Sequence, residues 1–183
     1  PYSEPEVAGV GFWSGRRGVA FAAFLVALAG FVVYRDSLTS RFLYDDINLI
    51  VINPNIRDLS NLKGLIAGGR PVRALTFILD YSLWGYNPRG YHLSNIFLHL
   101  TGAILFFLLI KRLFRDSLIA LGAAMLFVVH PAATEAVVMV SHRKEMLAFI
   151  FMLLALLFYH SASWPSRGVR GEANPACGGT RWG

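Results

Sequence analysis

The sequence has few charged residues for its size. Aspartate, glutamate, lysine and arginine make up 15% of its 183 residues, compared with about 25% in a typical soluble domain. Hydrophobic residues make up 55%, and the mean hydropathy is +0.51. A chain of this composition cannot cover its surface with polar groups, which excludes an ordinary water-soluble domain.

Several chemical motifs are also missing. The single cysteine, Cys177, cannot form an internal disulfide, and the sequence has no cysteine cluster for zinc. It has no P-loop, dinucleotide-binding fingerprint, nucleophile elbow or zinc motif. The 17 basic and 11 acidic residues give a net charge of +6. Because the basic residues lie largely beside apolar runs, anionic lipid headgroups explain them better than nucleic acid does.

Four apolar runs predict an all-α, polytopic membrane protein with about four transmembrane helices. The runs cover residues 19–34, 91–110, 118–129 and 146–159. A span needs about 20 residues, so the second run suffices alone and the others need flanking residues. No small-residue cleavage site follows the first run, which favours an uncleaved anchor over a signal peptide. For the third and fourth runs, a buried or re-entrant hairpin is the alternative.

Basic residues predict the orientation of these helices. They precede the first run, fill the turn after the second and follow the fourth: Arg16, Arg17, Lys111, Arg112, Arg115, Arg167 and Arg170. The positive-inside rule makes that side cytoplasmic. We therefore expect a cytoplasmic segment at 1–17, a membrane region at 18–160 and a disordered tail at 161–183.

The outer loop, residues 35–90, is predicted to be partly helical. Ser60 is placed to cap a short helix that ends at Ile66, and Pro71 to begin a second one. Apolar side chains recur at helical spacing in the second helix, which is typical of a helix along the membrane interface. Those side chains are Leu75, Ile78, Leu79 and Leu83.

An acidic pair follows the first run. A carboxylate of Asp45 or Asp46 can act as a general base that takes a proton from a hydroxyl nucleophile. Because neighbouring side chains point in different directions, at most one of the two is expected to touch the reacting atom. The alternative is that both acids cap a helix over residues 47–52.

Polar side chains also interrupt the later runs. His92, Asn95 and His99 share one face of the second predicted helix, and this face should meet protein or a wet cavity. A hydrogen-bonded seam and a substrate cavity are both compatible with it. A second polar cluster follows the third run and contains His130, Glu135 and His142. The sequence shows no complete set of metal ligands, although a divalent metal on the acidic pair is possible.

Basic residues near this cluster are candidates for binding a lipid phosphate. Arg143 and Lys144 offer a forked donor and a mobile point charge, respectively. Arg70 and Arg73, just before the predicted interfacial helix, are further candidates. Ordinary headgroup contacts and pairing with acidic neighbours are the alternatives for each of them.

Together, these features resemble the N-terminal membrane region of the transmembrane and tetratricopeptide-repeat O-mannosyltransferases and their bacterial relatives. The resemblance covers residues 34–159 and rests on several motifs in the same order. The motifs are Tyr44-Asp45-Asp46, Arg70-Pro71-Val72-Arg73, Gly85-Tyr86-Asn87-Pro88, Tyr91-His92-Leu93-Ser94-Asn95, His99, His130-Pro131, Glu135-Ala136-Val137 and Ser141-His142-Arg143-Lys144-Glu145.

The resemblance implies a multipass glycosyltransferase of the GT-C type. Such an enzyme would take a hexose, such as mannose, from a polyprenyl-phosphate donor and transfer it to a protein or glycan hydroxyl on the non-cytoplasmic face. Asp45 or Asp46 would be the base, and the basic residues above would hold the donor phosphate. The implied location is the endoplasmic reticulum membrane in a eukaryote or the plasma membrane in a bacterium.

The family's enzymes have many more spans, usually followed by repeats. We therefore expect this chain to be a piece of a longer enzyme and to be inactive alone. Two other functions remain open from the residues. One is a non-catalytic membrane subunit whose polar seam packs against a partner. The other is part of a transporter, with His92, Asn95 and His99 along the pathway.

Overall fold

The computed structural model describes residues 15–57 and 70–163, and it confirms the all-α fold. This part of the chain contains helices and turns but no strand. The α-helices are α1 (Arg16–Tyr34), α2 (Pro71–Trp84), α3 (Pro88–Phe114), α4 (Ser117–Val129), α5 (Ala133–Val138) and α6 (Arg143–Ser163). Short 3-10 segments cover Arg35–Thr39, Pro54–Ile56 and Val140–His142, and a π-helical turn covers Ile47–Val51.

Some predictions lie outside the described residues. They are the short helix between Ser60 and Ile66, most of the segment 1–17 and most of the tail 161–183. The second predicted helix of the outer loop is confirmed as α2, which begins at Pro71. Its end at Gly85 requires glycine, because φ is +60° and ψ is −123° there, a conformation that other residues rarely adopt.

Three helical segments are long and apolar enough to cross a membrane: Arg16–Thr39, Pro88–Phe114 and Val140–Ser163. The fourth apolar helix, α4, has only 13 residues and is about 20 Å long. It is therefore shorter than the hydrocarbon core of about 30 Å. The expectation of about four transmembrane helices is met by three long helices and one short apolar helix.

Although α4 is short, the chain runs back beside α3 through α4 and α5. His99 Nε2 lies 3.1 Å from the carbonyl oxygen of Val128, near the end of α4. One turn earlier in α3, Asn95 Nδ2 donates to the carbonyl oxygen of Val137, at 3.1 Å. The short helices α4 and α5 thus together retrace the path of α3. We call the end formed by residues 35–57 and 130–142 the loop end, and the end formed by residues 111–117 the turn end.

The centre of the bundle is α3, against which α1, α4 and α6 pack. Small buried side chains allow this close packing, since alanines from three helices share one core with Val26, Phe107 and Val128. At Gly30 of α1 an added Cβ would overlap the side chains of Leu100 and Val128. The close approach of α1 to α3 and α4 therefore depends on the missing side chain at this position.

A second core at the loop end holds α2 in place. Phe77 and Ile78 of α2 are buried there with Tyr91 of α3 and with apolar residues of the loops. The opposite face of α2 is exposed, with Leu79 at 59% and Leu83 at 63% of their surface accessible. Ile78, predicted as part of the apolar stripe along the membrane interface, faces this core instead.

Candidate functional site

Asp46 joins two loops at the loop end. Its side chain is buried, with 1% of its surface exposed. Oδ1 accepts a hydrogen bond from the backbone N–H of Ser141 at 2.7 Å. Oδ2 accepts from the backbone N–H groups of Leu43 at 3.3 Å and Val140 at 3.4 Å. Asp46 therefore fixes the segment before α6 and does not cap the helical turn that follows it.

Asp45 has a different environment from its neighbour. It is exposed and lines a recess of about 190 Å³ between the loop, α2 and the start of α6. The residue before it, Tyr44, has a φ of +46°, an uncommon left-handed conformation for a bulky residue. The other residues around the recess are Asn48, Leu49, Arg70, Arg73, Ser141, His142 and Lys144.

The described residues of the recess carry an excess of positive charge. Among them, Arg70, Arg73 and Lys144 line it together with one carboxylate, that of Asp45. Arg73 Nε is buried and has no hydrogen-bond acceptor among the residues that the structure describes. Burial, and then repulsion from Arg70, lowers the pKa of Arg73. An anion in the recess would relieve both effects, because it would supply an acceptor and an opposite charge.

Arg143, predicted to bind phosphate beside Lys144, lies outside this recess. Its side chain is completely buried. Nη1 is 2.5 Å from Asp80 Oδ2, and Nε donates to Asn95 Oδ1 at 2.8 Å. Nη2 donates to the carbonyl oxygen of Tyr91 at 3.1 Å, and the guanidinium carbon lies 4.9 Å from the ring centre of Phe77. Arg143 is thus bound on all sides by the protein.

Asp80 was missed by sequence reasoning. It is the one acidic residue of α2, and its side chain also accepts a hydrogen bond from Ser94 Oγ at 2.7 Å. The available signal was the position of a carboxylate in the otherwise apolar helix. Because buried acidic residues almost always have a partner, a carboxylate at this position predicts a cation nearby.

The predicted polar face of α3 divides into separate contacts. Asn95 belongs to the contacts of Arg143, whereas His99 meets Val128 and lies edge-on to Tyr34, with ring centres 5.1 Å apart. His92, which lies about one turn before Asn95 in α3, is completely buried. His99 also borders an apolar groove of about 630 Å³ between α3, α4 and α6.

The polar cluster after α4 is more exposed than the polar face of α3. His130 is exposed, and its Nδ1 accepts from the backbone N–H of Ala132 at 3.1 Å. Glu135 Oε1 lies 3.7 Å from Nδ1 of His142. Of His130, Glu135 and His142, only His142 lines the recess. In the described part of the chain, no three His, Cys, Asp or Glu side chains form a group able to hold a metal ion.

The fold and the recess define the class of protein: a helical multipass membrane protein with a cationic recess at one end of its bundle. Comparison with known proteins identifies its relatives. Protein O-mannosyl-transferase Tmtc1 of Drosophila melanogaster is 36% identical in an alignment 155 residues long, which covers 74% of this chain and 18% of that protein. Protein O-mannosyl-transferase TMTC1 of Homo sapiens is 37% identical in an alignment 168 residues long, which covers 80% of this chain and 19% of that protein.

A third relative is protein O-mannosyl-transferase TMTC3 of Mus musculus, 34% identical in an alignment 151 residues long, which covers 74% of this chain and 16% of that protein. These matches confirm the predicted resemblance: the chain is related to the transmembrane and tetratricopeptide-repeat O-mannosyltransferases. It spans less than a fifth of the length of these three relatives. No family model and no solved structure matches the chain.

Proposed function

We propose that this chain is part of an integral-membrane glycosyltransferase. The complete enzyme would move a hexose, such as mannose, from a polyprenyl-phosphate donor to a protein or glycan hydroxyl on the non-cytoplasmic face. The observation that carries the proposal is the recess in which the carboxylate of Asp45 is surrounded by three cations. The names of the relatives, protein O-mannosyl-transferases, support the same reaction class.

The residues of the recess are suited to both the acceptor hydroxyl and the donor phosphate. Asp45 would take the proton from the acceptor hydroxyl, and the hydroxyl oxygen would form a bond to the anomeric carbon of the sugar. The bond between that carbon and the phosphate oxygen would break, and the phosphate would leave with the bonding electrons. Arg70, Arg73 and Lys144 would stabilise the negative charge that grows on the leaving phosphate.

Asp45 and Asp46 have different roles in this proposal. Exposure of Asp45 leaves its carboxylate open to an acceptor. Asp46 already accepts three backbone hydrogen bonds, so its oxygens are engaged by the protein. We therefore assign the base to Asp45 and a positioning role to Asp46. The loop end would face the non-cytoplasmic side, in the endoplasmic reticulum membrane of a eukaryote or the plasma membrane of a bacterium.

Paired substitutions test the assignment in a full-length enzyme that contains this region. Asp45→Asn should lower the rate of transfer by ~10²–10⁴, the usual cost of a lost general base, and should leave thermal stability unchanged. Asp46→Asn should lower the melting temperature, because an amide replaces one acceptor oxygen by a donor. Asp36→Asn, an exposed carboxylate near the same end, is the control.

Rates of transfer are compared at equal membrane expression, with polyprenyl-phosphate mannose as the donor. Near wild-type turnover by Asp45→Asn would contradict the catalytic assignment and favour a non-catalytic membrane subunit.

A further inference from the structure

A second charged cavity lies at the turn end, far from the candidate active site. It is a groove of about 710 Å³ between α1, α3 and α6. Its lining residues are of two kinds. The apolar ones, here called the walls, are Val19, Leu108, Leu154, Leu157 and Phe158, and the polar ones, here called the mouth, are Lys111, Arg112, Arg115, Ser117 and Ser161.

The groove exists because α1 and α6 both pack against α3. Arg112 fastens α3 to α6 at the mouth. Its Nη1 donates to the carbonyl oxygen of Leu157 at 3.2 Å and to Ser161 Oγ at 2.5 Å. The guanidinium of Arg112 therefore binds a carbonyl group near the C-terminal end of α6, where a positive charge is favourable. Lys111 and Arg115 add two further cations to the mouth, and none of the described residues lining the groove is acidic.

We propose that this groove binds an anionic phospholipid. One acyl chain would lie against Leu108, Leu154 and Phe158, and the phosphate would contact Lys111 and Arg115. The apolar walls select a ligand with a hydrocarbon tail, and the cations at the mouth select a negative headgroup. Basic pockets between transmembrane helices on the cytoplasmic side are known to favour such lipids.

The position of the groove supports a lipid over a soluble anion. Lys111, at its mouth, lies near the end of α3, directly after an apolar stretch long enough to span a bilayer. The mouth therefore falls at the depth of the lipid headgroups. About 30 Å of helix separates it from Tyr91, beside the second core at the loop end. The bound lipid would belong to the leaflet opposite the candidate active site, so it is not the sugar donor.

Lipid retention by the purified full chain in nanodiscs tests the proposal. Nanodiscs of phosphatidylcholine are doped with phosphatidylglycerol, and the lipids that remain bound on release are measured by native mass spectrometry. We expect phosphatidylglycerol to be retained in preference to phosphatidylcholine. The double variant Lys111→Gln with Arg115→Gln should weaken this retention by roughly 25-fold, since each cation near the surface contributes about 1 kcal/mol.

The matched control is Arg35→Gln with Arg41→Gln, which removes two exposed cations at the loop end and should leave retention unchanged. A third variant, Leu154→Trp, fills the groove and should reduce retention without removing charge. Equal retention by the wild type and the Lys111/Arg115 variant would overturn the proposal. So would retention that Leu154→Trp leaves intact, or displacement of the lipid by inorganic phosphate, since either result would indicate simple anion binding.

Discussion

Arg143 and Asp80 form an ion pair in which both side chains are buried, with Nη1 and Oδ2 2.5 Å apart. The pair joins α6 to α2, and these helices carry Lys144 and Arg73 of the recess. Burying two charges is costly unless their remaining polar atoms are also satisfied. Asn95 and the carbonyl oxygen of Tyr91 accept the other guanidinium donors here.

Breaking this ion pair should strongly destabilise the protein. Asp80→Asn keeps the shape of the side chain but leaves the Arg143 guanidinium buried without a counter-charge. We expect a loss of about 3–5 kcal/mol, the usual cost of removing one partner of a buried pair. Thermal unfolding in detergent measures it. Asp36→Asn, in the exposed pair with Arg35, should have almost no effect. Equal melting temperatures for the two variants would contradict the structural role.

The cations of the recess should affect the donor more than the acceptor. Lys144→Gln combined with Arg73→Gln is expected to raise the KM for the polyprenyl-phosphate sugar in the full-length enzyme and to leave the KM for the acceptor unchanged. The reason is that a phosphate, but not a neutral hydroxyl, needs the positive charge. Arg89→Gln, an exposed cation outside the recess, is the control. An unchanged donor KM would assign these residues to ordinary headgroup contacts.

Labelling of single cysteines should establish the topology. In a Cys177→Ser background, Asn55→Cys reports on the loop end and Ser163→Cys on the turn end, and both positions are exposed. An impermeant thiol reagent applied from the non-cytoplasmic side should modify only Asn55→Cys. The basic residues at the turn end are the reason for this expectation. A reversed pattern would place the recess in the cytoplasm and remove the proposed reaction with it.

Glycine should be required at position 85 but not at position 122. Gly85 has a φ of +60° and a ψ of −123°, so Gly85→Ala should destabilise the protein by roughly 1–3 kcal/mol through backbone strain. Gly122 lies within α4, and an added Cβ there would have no neighbour within 4 Å. Gly122→Ala should therefore leave the melting temperature unchanged or raise it. Similar destabilisation by both variants would contradict the assigned backbone conformation.

The helices could be predicted from the sequence because long apolar runs and their polar ends are local signals. The start of α2 at Pro71 follows from local rules in the same way. The start of α6 could not be predicted from the fourth run, because the polar residues from Arg143 to Glu145, which precede the run, are part of the helix. They do so since Arg143 is buried against α2 and α3, a contact between residues far apart in the chain.

The candidate site was only partly predictable for the same reason. Asp45 and Asp46 are adjacent in sequence, and nothing local distinguishes a buried carboxylate from an exposed one. The difference comes from Val140 and Ser141, about 95 residues later, whose N–H groups bind Asp46. Likewise, adjacent Arg143 and Lys144 point into a core and a recess, respectively. The residue types were identified from the sequence, but their division between structure and chemistry depends on the tertiary fold.

The short length of α4 has a consequence for the surrounding lipid. An apolar helix about 10 Å shorter than the hydrocarbon core is accommodated by local thinning of the bilayer, by flanking side chains that reach the interface, or by association with other helices. Where the bilayer thins, the water boundary of the loop-end leaflet would move toward His130. In the proposed reaction, the polyprenyl-phosphate donor would enter this thinned region with its headgroup already near the depth of the recess. The donor would then reach the recess without leaving its leaflet.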